Sequence, residues 1–548
     1  MKKASATVLA LVLVLAMVCA SAEVTEIAPA IAAQKYADPV TVSFVRSVDD
    51  TLETNVLAVL DGQTVENNIW LDAYKNFLNI DVTYDWVVND SEYTQKLNLA
   101  IASGDIPDVL TVNATQLAQL AEAGMIQPIG ALYDEYATDF TKTTLVEETE
   151  SVFDAAYYDG QLYGIPETSC SSDSTSFLWI RNDWLEKLGL SVPTTMEELI
   201  AVAEAFTTQD PDGNGVDDTY GLCLSKSLWD DWCELEGFFN GYGAYIEIWI
   251  PDGNGGLKYG SVQPEVKDAL AALADMYQKG YIDPEFAVKD GSAAAELAVS
   301  GKIGMFYGPQ WVPLYPLQTN KDKDENAVWT GYAPVFTAGN TYYAQNPVST
   351  SYYYVVSKDC EHPEALVKMC NLFLELCWGE SGDNGIYYAP MDCEGIWKLS
   401  PIHPSEPLKN INAFLTLDAA RASGDYSAVS GEAASIQLKL ESYASGSEEG
   451  HALWGWERIY GAEGVYGRMR DLKEADMFLV DAFSGASTET MIERQSTLDD
   501  LQDETFTKII LGEADISAFD TWVEQYYSLG GTAITEEVNA WYSALNAE

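Results

Sequence analysis

The stretch "DVTYDWVVNDSEYTQKLNLAIASGDIPDVLTV", residues 81–112, places one helix pattern between two strand patterns. Residues 81–88 alternate apolar and polar side chains, as a half-buried strand does, and residues 108–112 are a second short apolar run. Between them, Ser91 is a typical N-cap and Gly104 a typical helix end, so a helix is predicted over 91–104. Strands joined by a helix indicate an α/β fold with parallel pairing.

The flanking sequence continues this pattern. Residues 40–45, "VTVSFV", read as an earlier strand, and helical spacing over 65–78 connects it to the strand at 81–88. The dipeptide Asp159-Gly160 between two apolar runs predicts a hairpin, and Thr195 with Glu198 predicts a capping box that opens a helix. Further helices are predicted at 263–282, 363–376 and over much of 491–542, and further strands at 301–308 and 351–357.

The amino terminus has the pattern of an export signal. Lys2 and Lys3 precede a mainly apolar run from Thr7 to Val18, and Ala20-Ser21-Ala22 fits a cleavage site. We therefore expect a signal peptide over 1–22, a flexible leader over 23–39 and an exported protein outside the cell or on its surface. A lipid anchor on Cys19 is an alternative, but it is not favoured because Val18 occupies a position where a small residue is expected.

Composition excludes some partners. The chain has 85 acidic and 29 basic residues and a formal charge of −56, which becomes −58 when cleavage removes Lys2 and Lys3. Such a surface repels nucleic acid and anionic membranes, so neither is an expected partner. Because 47% of residues are hydrophobic, the chain should bury a large core, and its 548 residues favour two lobes over one.

Motifs for catalysis are absent from the sequence. It contains no G-x-S-x-G elbow, no H-E-x-x-H and no P-loop, and we expect its three histidines, at 362, 403 and 451, to be structural. A hydrolase that uses two carboxylates remains an alternative. Cleavage after residue 22 would leave seven cysteines, an odd number without C-x-x-C, so buried free thiols and a partial disulfide framework both stay open.

The acidic segment "DPDGNGVDDTYG", residues 210–221, has the spacing of a calcium loop. Hard oxygen ligands at alternate positions suit Ca²⁺, whose charge relieves the repulsion among carboxylates. Position 12, normally glutamate, is Gly221, and the next residues read as a strand, so the site must borrow a ligand or water; a metal-free turn is the alternative. The predicted structural calcium ligands are Asp210, Asp212, Asn214, the Val216 carbonyl and Asp218, with Gly215 at the sharp turn.

Seven motifs in a fixed order carry a family resemblance: "EYTQKLNLAIASGDIPDVL" (92–110), "GMIQPI" (124–129), "YDGQLYGIP" (158–166), "LWIRNDWLEKLGLSVPTTMEEL" (178–199), "DPDGNGVDDTYG" (210–221), "GKIGMFYGPQW" (301–311) and "FTKIILGEADISAFDTWVEQYYSLGG" (506–531). With them the chain resembles the extracellular solute-binding proteins of ABC importers, in the LipO-like branch of Gram-positive bacteria. Many members of that branch serve oligosaccharide uptake.

The resemblance implies a two-lobed α/β fold of the periplasmic-binding-protein type, with ligand held between the lobes. The chain would cross near residues 155, 340 and 400. Lobe 1 would then contain 40–155 and about 345–400, and lobe 2 would contain 156–344 and about 401–548, including the C-terminal helices. The implied protein is a monomer without catalysis that delivers a small solute to permease subunits.

The resemblance also places candidate ligand residues. The turn after "KIGMF" faces the cleft in this family, which makes Trp311 the first candidate for stacking against a sugar. Trp70 with Asn68 could face it from the other lobe, and Trp179 or Arg181 could contribute where the second lobe begins. The 15 tryptophans favour an oligosaccharide, while a peptide ligand and a secreted carbohydrate-active enzyme are the alternatives.

Overall fold

The computed structural model describes residues 24, 26–229, 232–390, 393 and 395–546. The predicted signal peptide, its cleavage site and Cys19 lie outside the described residues. Within the described part, no helix is both long enough and apolar enough to cross a membrane. All seven cysteines from Cys170 to Cys393 are buried free thiols, which settles the question left open by their odd number.

Five strands of the first lobe form its two main ladders. Val40–Val48 pairs in parallel with Ile80–Asn89, as the sequence predicts. Val109–Asn113 does not continue that ladder but pairs antiparallel with Thr350–Val356, which also pairs antiparallel with Gly164–Thr168. The prediction of a three-stranded parallel sheet is therefore wrong for the third strand, Val109–Asn113.

Side chains connect the two ladders at the position where a continuous sheet was expected. The backbone N–H of Ser43 donates to Asp108 Oδ2 at 2.9 Å, and the N–H of Asp108 donates to Ser43 Oγ at 3.0 Å. Ser43 lies within Val40–Val48, and Asp108 directly precedes Val109–Asn113. This reciprocal pair of hydrogen bonds therefore connects two strands that share no ladder. The side chains of two short polar residues thus do what backbone pairing does elsewhere.

The core of the first lobe contains buried side chains from Ile31 to Ile165 and from Tyr353 to Ile402. The hairpin of Tyr157–Tyr158 and Gln161–Leu162 belongs to this lobe. Its helices and helical turns are Pro29–Ala32, Asp50–Leu52, Glu53–Leu57, Ile69–Ala73, Tyr74–Leu78, Asp90–Ser103, Ala114–Glu122, Gly130–Tyr136, Asp139–Leu145, Glu150–Ala156, Glu364–Trp378, Asn384–Tyr387 and Ile396–Leu399. The first crossing follows residue 168, later than the predicted position near 155, because Gly164–Thr168 is an edge strand of the first lobe.

The second lobe has a mixed four-stranded sheet in the order Trp329–Tyr332, Phe177–Arg181, Ile303–Gly308, Tyr220–Leu222. Its short strands Trp249–Pro251 and Leu257–Tyr259 pair with each other, as do Ala344–Asn346 and Phe478–Val480. Two clusters of buried side chains cover the sheet. The helices and helical turns around it are Asn182–Leu188, Met196–Thr208, Glu236–Asn240, Gly260–Val262, Val266–Gln278, Phe286–Val288, Gly291–Val299, Pro313–Leu317, Gln318–Lys323, Lys409–Ser423, Gly431–Ala444, Glu448–His451, Trp454–Tyr460, Val465–Glu474, Glu489–Ile510, Ala518–Tyr526, Tyr527–Gly531 and Thr532–Leu545.

The chain passes between the lobes three times, near residues 168–169, 349 and 405, and these segments lie side by side. We call this place the hinge. The N–H of Ser169 donates to the carbonyl of Ser349 at 2.8 Å. The N–H of Ser405 donates to Thr168 Oγ1 at 3.2 Å. The first, second and third crossings are therefore tied together by hydrogen bonds at one level.

Local chemistry bears out several turn and cap predictions. Asp159 and Gly160 both have positive φ, at 48° and 70°, as a two-residue hairpin turn requires. Thr195 caps Met196–Thr208 by accepting from the N–H of Glu198, but the predicted capping box is incomplete, because Glu198 Oε2 accepts from the N–H of Thr194 and not from that of Thr195. Ser91 is not the cap of Asp90–Ser103, since the Asn89 side chain, two residues earlier, accepts from the N–H of Ser91.

The predicted flexible leader is partly docked on the first lobe. Ile31 is 1% exposed and belongs to its core. The N–H of Ala28 donates to Ser381 Oγ at 2.9 Å, and the Tyr36 hydroxyl donates to Glu364 Oε1 at 2.6 Å. The expectation of flexibility is wrong for residues 28–36, because an apolar side chain and two polar contacts anchor them.

Candidate functional site

A cavity of about 320 Å³ lies at the hinge, where all three crossing segments contribute to its wall. This volume is near the lower end of the range of about 300–1,000 Å³ for ligand pockets in proteins. We call it the hinge pocket. It is lined by Glu167, Thr168, Ser169, Ser351, Tyr352, Phe373, Trp378, Tyr388, Trp397, His403 and Ser405.

Aromatic rings form one wall of the hinge pocket. Tyr388 and Trp397 are stacked, with centroids 6.0 Å apart and planes 14° apart. Trp378 lies 4.9 Å from Tyr388, and His403 meets Trp397 edge-on at 5.0 Å. These four rings are half-buried. Tyr352, in the strand Thr350–Val356, is 51% exposed. The wall therefore offers flat apolar surface to a ligand.

Polar groups stand beside the rings. His403 Nδ1 is 3.0 Å from Glu167 Oε1, and the Tyr354 hydroxyl donates to Glu167 Oε2 at 2.8 Å. The same hydroxyl accepts from the N–H of His403 at 2.8 Å. Burial alone would raise the pKa of Glu167, but the electrostatic attraction of His403 and the hydrogen bonds from His403 and Tyr354 outweigh it and lower that pKa. Glu167 is therefore ionised at neutral pH.

Arg46 fixes the segment that carries Trp397. Its guanidinium donates to the carbonyls of Leu399 and Ser400 at 3.3 and 2.8 Å and also to the carbonyl of Lys398. These carbonyls end the helical turn Ile396–Leu399, where a cation is favourable. The carboxyl end of the first strand, Val40–Val48, thus positions an aromatic ring of the hinge pocket.

Trp70 and Asn68 are interior residues, so the prediction that they face the ligand is wrong. Trp70 is 0% exposed and stacks on Phe373 at 4.5 Å, and Phe373 in turn lines the hinge pocket. Asn68 is 2% exposed and caps the helix Ile69–Ala73 by accepting from the N–H groups of residues 70 and 71. Trp70 therefore supports the pocket through Phe373, and neither Trp70 nor Asn68 lines it.

Trp179 and Arg181 are also buried, and their predicted ligand role is wrong as well. Trp179 is 0% exposed, and its Nε1 donates to the carbonyl of Gly308 at 3.1 Å within the second-lobe sheet. Arg181 is 2% exposed and pairs with Asp183 at 2.6 Å and Asp324 at 3.2 Å. The strand that carries them is covered on both faces, so neither side chain is free to contact a solute.

Trp311 is the one predicted ligand residue that remains accessible, at 40% exposure. Gly308, at the end of Ile303–Gly308, lies opposite Phe177, the first strand residue after the first crossing. The turn that carries Trp311 therefore leaves the second-lobe sheet at the end nearest the hinge. Its contact with a ligand stays a prediction.

The acidic loop forms a network of internal hydrogen bonds. The carboxylate of Asp210 accepts from the N–H groups of Gly213 and Gly215 at 3.0 and 3.1 Å. Asn214 Nδ2 donates to Asp212 at 2.8 Å and to Asp218 at 3.1 Å. The residues that follow form the strand Tyr220–Leu222, as the sequence predicts, and not a helix.

Lys302 supplies a positive charge to this loop. Its Nζ contacts Asp218 Oδ2 and lies 3.7 Å from Asp212 Oδ2. The hydrogen bond from Lys302, followed by that from Asn214, lowers the pKa of Asp218. In the described part of the chain, no group of three or more His, Cys, Asp or Glu side chains is arranged to hold a metal ion. Calcium binding by this loop stays a prediction.

Comparison with known proteins decides the family. Residues 61–374 match the model of the bacterial extracellular solute-binding proteins. The chain belongs to this family. Among curated members, lipoprotein LipO of Bacillus subtilis (strain 168) is 31% identical over 246 residues, covering 43% of this chain and 45% of LipO. The polygalacturonan/rhamnogalacturonan-binding protein YtcQ of the same organism is 28% identical over 266 residues, 47% of this chain and 50% of YtcQ. The matched segments span about half the length of these relatives.

Solved structures of solute-binding proteins share the fold over nearly the whole chain. A solute-binding protein from Bifidobacterium longum infantis, described as binding HMO, superposes with a TM-score of 0.64 at 17% identity, covering 92% of this chain and 99% of that one. An EF-hand mutant of FusA from S. pneumoniae, in complex with fructo-nystose, gives a TM-score of 0.59 at 16% identity, covering 92% and 99%. The two-lobed α/β fold predicted from the sequence is confirmed.

Sequence reasoning did not single out the aromatic wall of this solute-binding protein. His403 was expected to be structural, and Trp378, Tyr388 and Trp397 were not chosen. A usable signal was present, because "IYYAP" (386–390) and "GIWKLS" (395–400) concentrate aromatic residues beside the predicted crossing near 400. A rule that searches for aromatics next to crossings would have found the hinge pocket.

Proposed function

We propose that this solute-binding protein captures an oligosaccharide in the hinge pocket and delivers it to the permease subunits of an ABC importer. The observation that carries the proposal is the wall of half-buried aromatic rings that the first lobe presents at the hinge. Such rings cover the C–H faces of a sugar, while hydroxyl and carboxylate groups at the ring edges bind its hydroxyls. The names of YtcQ and of the FusA complex, which refer to saccharides, support the same class of ligand.

An oligosaccharide fits this pocket better than a peptide does. A peptide ligand needs charged partners for its amino and carboxyl termini. Among the described lining residues the one carboxylate, that of Glu167, is already engaged by His403 and Tyr354. The aromatic lining therefore favours the sugar.

The proposal includes no catalysis. Glycoside hydrolysis requires two carboxyl groups about 5–9.5 Å apart, one on each side of the scissile bond. Among the described residues that line the hinge pocket, Glu167 is the only carboxylate. This supports a binding protein over the alternative of a secreted carbohydrate-active enzyme.

We also propose that the acidic loop holds a structural Ca²⁺ ion. Asp210, Asp212 and Asp218 offer carboxylate oxygens and Asn214 an amide oxygen, which are the hard ligands that calcium prefers. The carbonyl of Val216, assigned to position 7, now accepts from the N–H of residue 218. When bound, the ion would add to the charge neutralisation that Lys302 provides to Asp212 and Asp218.

The proposed setting is an exported monomer. The amino-terminal sequence pattern supports export, and the family description supports a location outside the cytoplasmic membrane. The mature protein would begin at Glu23, and Cys19 would be removed with the signal peptide and would carry no lipid. Intact-mass analysis of protein isolated from a native envelope tests this, and a diacylated cysteine would contradict it.

A thermal-shift screen tests the proposed ligand class. A ligand bound only to the folded state stabilises it by RT ln(1 + [L]/Kd), about 2.7 kcal/mol at a hundredfold excess over Kd. We expect at least one oligosaccharide in a broad neutral and acidic panel to raise the melting temperature, and peptides of similar size to leave it unchanged. The bound sugar should stay intact over hours by chromatography. A shift with peptides alone, or release of shorter sugars, would favour one of the alternatives.

A further inference from the structure

We infer that the hinge pocket selects uncharged oligosaccharides over oligosaccharides that carry carboxylates. The inference rests on the proposed function and adds the electric charge of the sugar to it. The relatives leave this open, because the name of YtcQ refers to polygalacturonan, an acidic polymer, and FusA was solved with a fructooligosaccharide, which is neutral. The charges around the pocket decide whether it prefers a neutral or an acidic sugar.

The pocket itself carries negative charge. Glu167 is ionised at neutral pH and reaches the pocket beside His403. In the described part of its lining there is no lysine or arginine, the residues that recognise carboxylates by charge-assisted hydrogen bonds. A uronate placed against the aromatic wall would meet this carboxylate, the histidine that the carboxylate engages, and Lys409, whose Nζ is 5.1 Å from the Tyr388 ring centroid but 3.4 Å from Glu432.

The neighbouring cavity extends the negative field. It measures about 600 Å³ and shares Trp378 with the hinge pocket. Lys409 is the one cation in its described lining and lies 3.4 Å from Glu432. Burial, together with repulsion from Glu147 and Glu432, raises the pKa of Glu406 despite its hydrogen bond from Asn412. The carboxylates in this lining are Glu380, Asp383, Glu406 and Glu432.

The other cations near the aromatic wall are occupied. Arg46 donates to the three backbone carbonyls that hold the turn of Trp397. Lys398 lies 5.8 Å from the Trp397 ring centroid, but its Nζ donates to Thr51 Oγ1 at 2.6 Å and is 3.8 Å from Asp49. Recruiting either one for a uronate would break contacts that shape the pocket. In the described linings of the two cavities, five carboxylates face one lysine and one histidine, so the repulsion of a uronate is not fully offset.

The experiment compares sugars that differ in charge. The probes are trigalacturonate, its methyl ester, maltotriose and a neutral fructooligosaccharide, each titrated calorimetrically into the full-length mature protein at low and high salt. We expect the tightest neutral probe to bind at least about tenfold more tightly than trigalacturonate, a difference of about 1.4 kcal/mol. High salt should narrow the gap, because it screens charge repulsion.

The outcomes separate this inference from the proposed function. Trigalacturonate binding as tightly as the neutral probes, or more tightly, overturns the inference and leaves an oligosaccharide-binding protein. Binding by no oligosaccharide, in this set or in the wider screen, overturns the proposed function itself.

Two substitutions test the assigned source of the repulsion. Glu167→Gln should reduce the preference for neutral probes by about threefold or more, and Glu406→Gln should act in the same direction if the first variant folds poorly. Glu122→Gln is the matched control, because this residue is exposed at the far end of the helix Ala114–Glu122. An equal effect of the control, or an unchanged preference in both pocket variants, would refute the electrostatic argument.

Discussion

Trp397→Ala should separate ligand binding from folding. The indole is half-buried, stacks on Tyr388 and makes a T-shaped contact with His403. The substitution removes a contact surface from the hinge pocket while the turn of residues 396–399 stays held by Arg46 through backbone carbonyls. We therefore expect the variant to fold and to bind the sugar weakly.

The expected loss of affinity follows from contact area. Burying a whole aromatic side chain removes about 150–250 Å² from water, so covering the part of one ring that a ligand reaches removes roughly 80 Å². At about 25 cal/mol per Å², this contributes about 2 kcal/mol, or about thirtyfold in Kd. The lost contact with Tyr388 should cost the apo protein only about 0.5–1.5 kcal/mol of unfolding free energy beyond the loss of buried area.

Trp70→Ala is the contrasting variant. Its ring is fully buried against Phe373 and two tyrosines, so its truncation should cost about 3–5 kcal/mol of unfolding free energy. Denaturant unfolding measures stability, and calorimetric titration with the sugar from the screen measures affinity. If Trp397→Ala binds normally, or loses as much stability as Trp70→Ala, the assignment of Trp397 to the ligand site is refuted.

Three further perturbations test other parts of the molecule. Trp311→Ala should keep the apo melting temperature within a few degrees, because the side chain is 40% exposed, and should weaken sugar binding; normal binding by titration would remove Trp311 from the site. A chelator should lower the melting temperature, and Asp212→Ala should abolish that sensitivity to chelator. Lys302→Met should enlarge the sensitivity, because the ammonium no longer offsets the loop carboxylates. Equal melting of the wild type with and without chelator would contradict the calcium proposal. Burial raises the pKa of Asp481 to about 7 although two backbone N–H groups donate to it, so its contribution to stability should fall as pH rises from about 4 to about 7 and stay constant above that. Asp481→Asn should therefore gain stability relative to wild type between pH 5 and pH 8 in denaturant melts, and a constant difference would refute this.

Local patterns predicted local structure well. The alternation in residues 81–88, the Asp159-Gly160 turn and the cap at Thr195 each follow from the preferences of neighbouring residues, and the structure has them close to where they were expected. The pairing of Val109–Asn113 was not predictable in this way. Its partner strand lies more than 200 residues further along the chain, and nothing in the local sequence identifies it.

The ligand site shows the same difference between features set by neighbouring residues and features set by contacts that are distant in sequence. A tryptophan in a sequence does not reveal whether it is core or surface, so the sequence suggests a ligand role for Trp70 and Trp179, and both are 0% exposed. Burial is set by contacts such as that of Trp70 with Phe373, which are distant in sequence. The hinge pocket likewise requires Glu167 and His403 to meet across 236 residues, which only the fold brings about. The acidic loop was found because its residues are contiguous.

The hydrogen bond from Thr350 to the carbonyl of Glu167 joins residues 183 positions apart, and it ties an edge strand to the central strand of its ladder. A ribosome adds about 5–20 residues per second, so the central strand is made roughly 10–40 s after the neighbours on both of its sides. During that time two strands of the first lobe have no partner between them, and their unpaired N–H and C=O groups are open to other chains. For the export proposed above, this delay is an advantage, because a lobe that lacks its middle strand does not close before residue 356 of the 548 has been made.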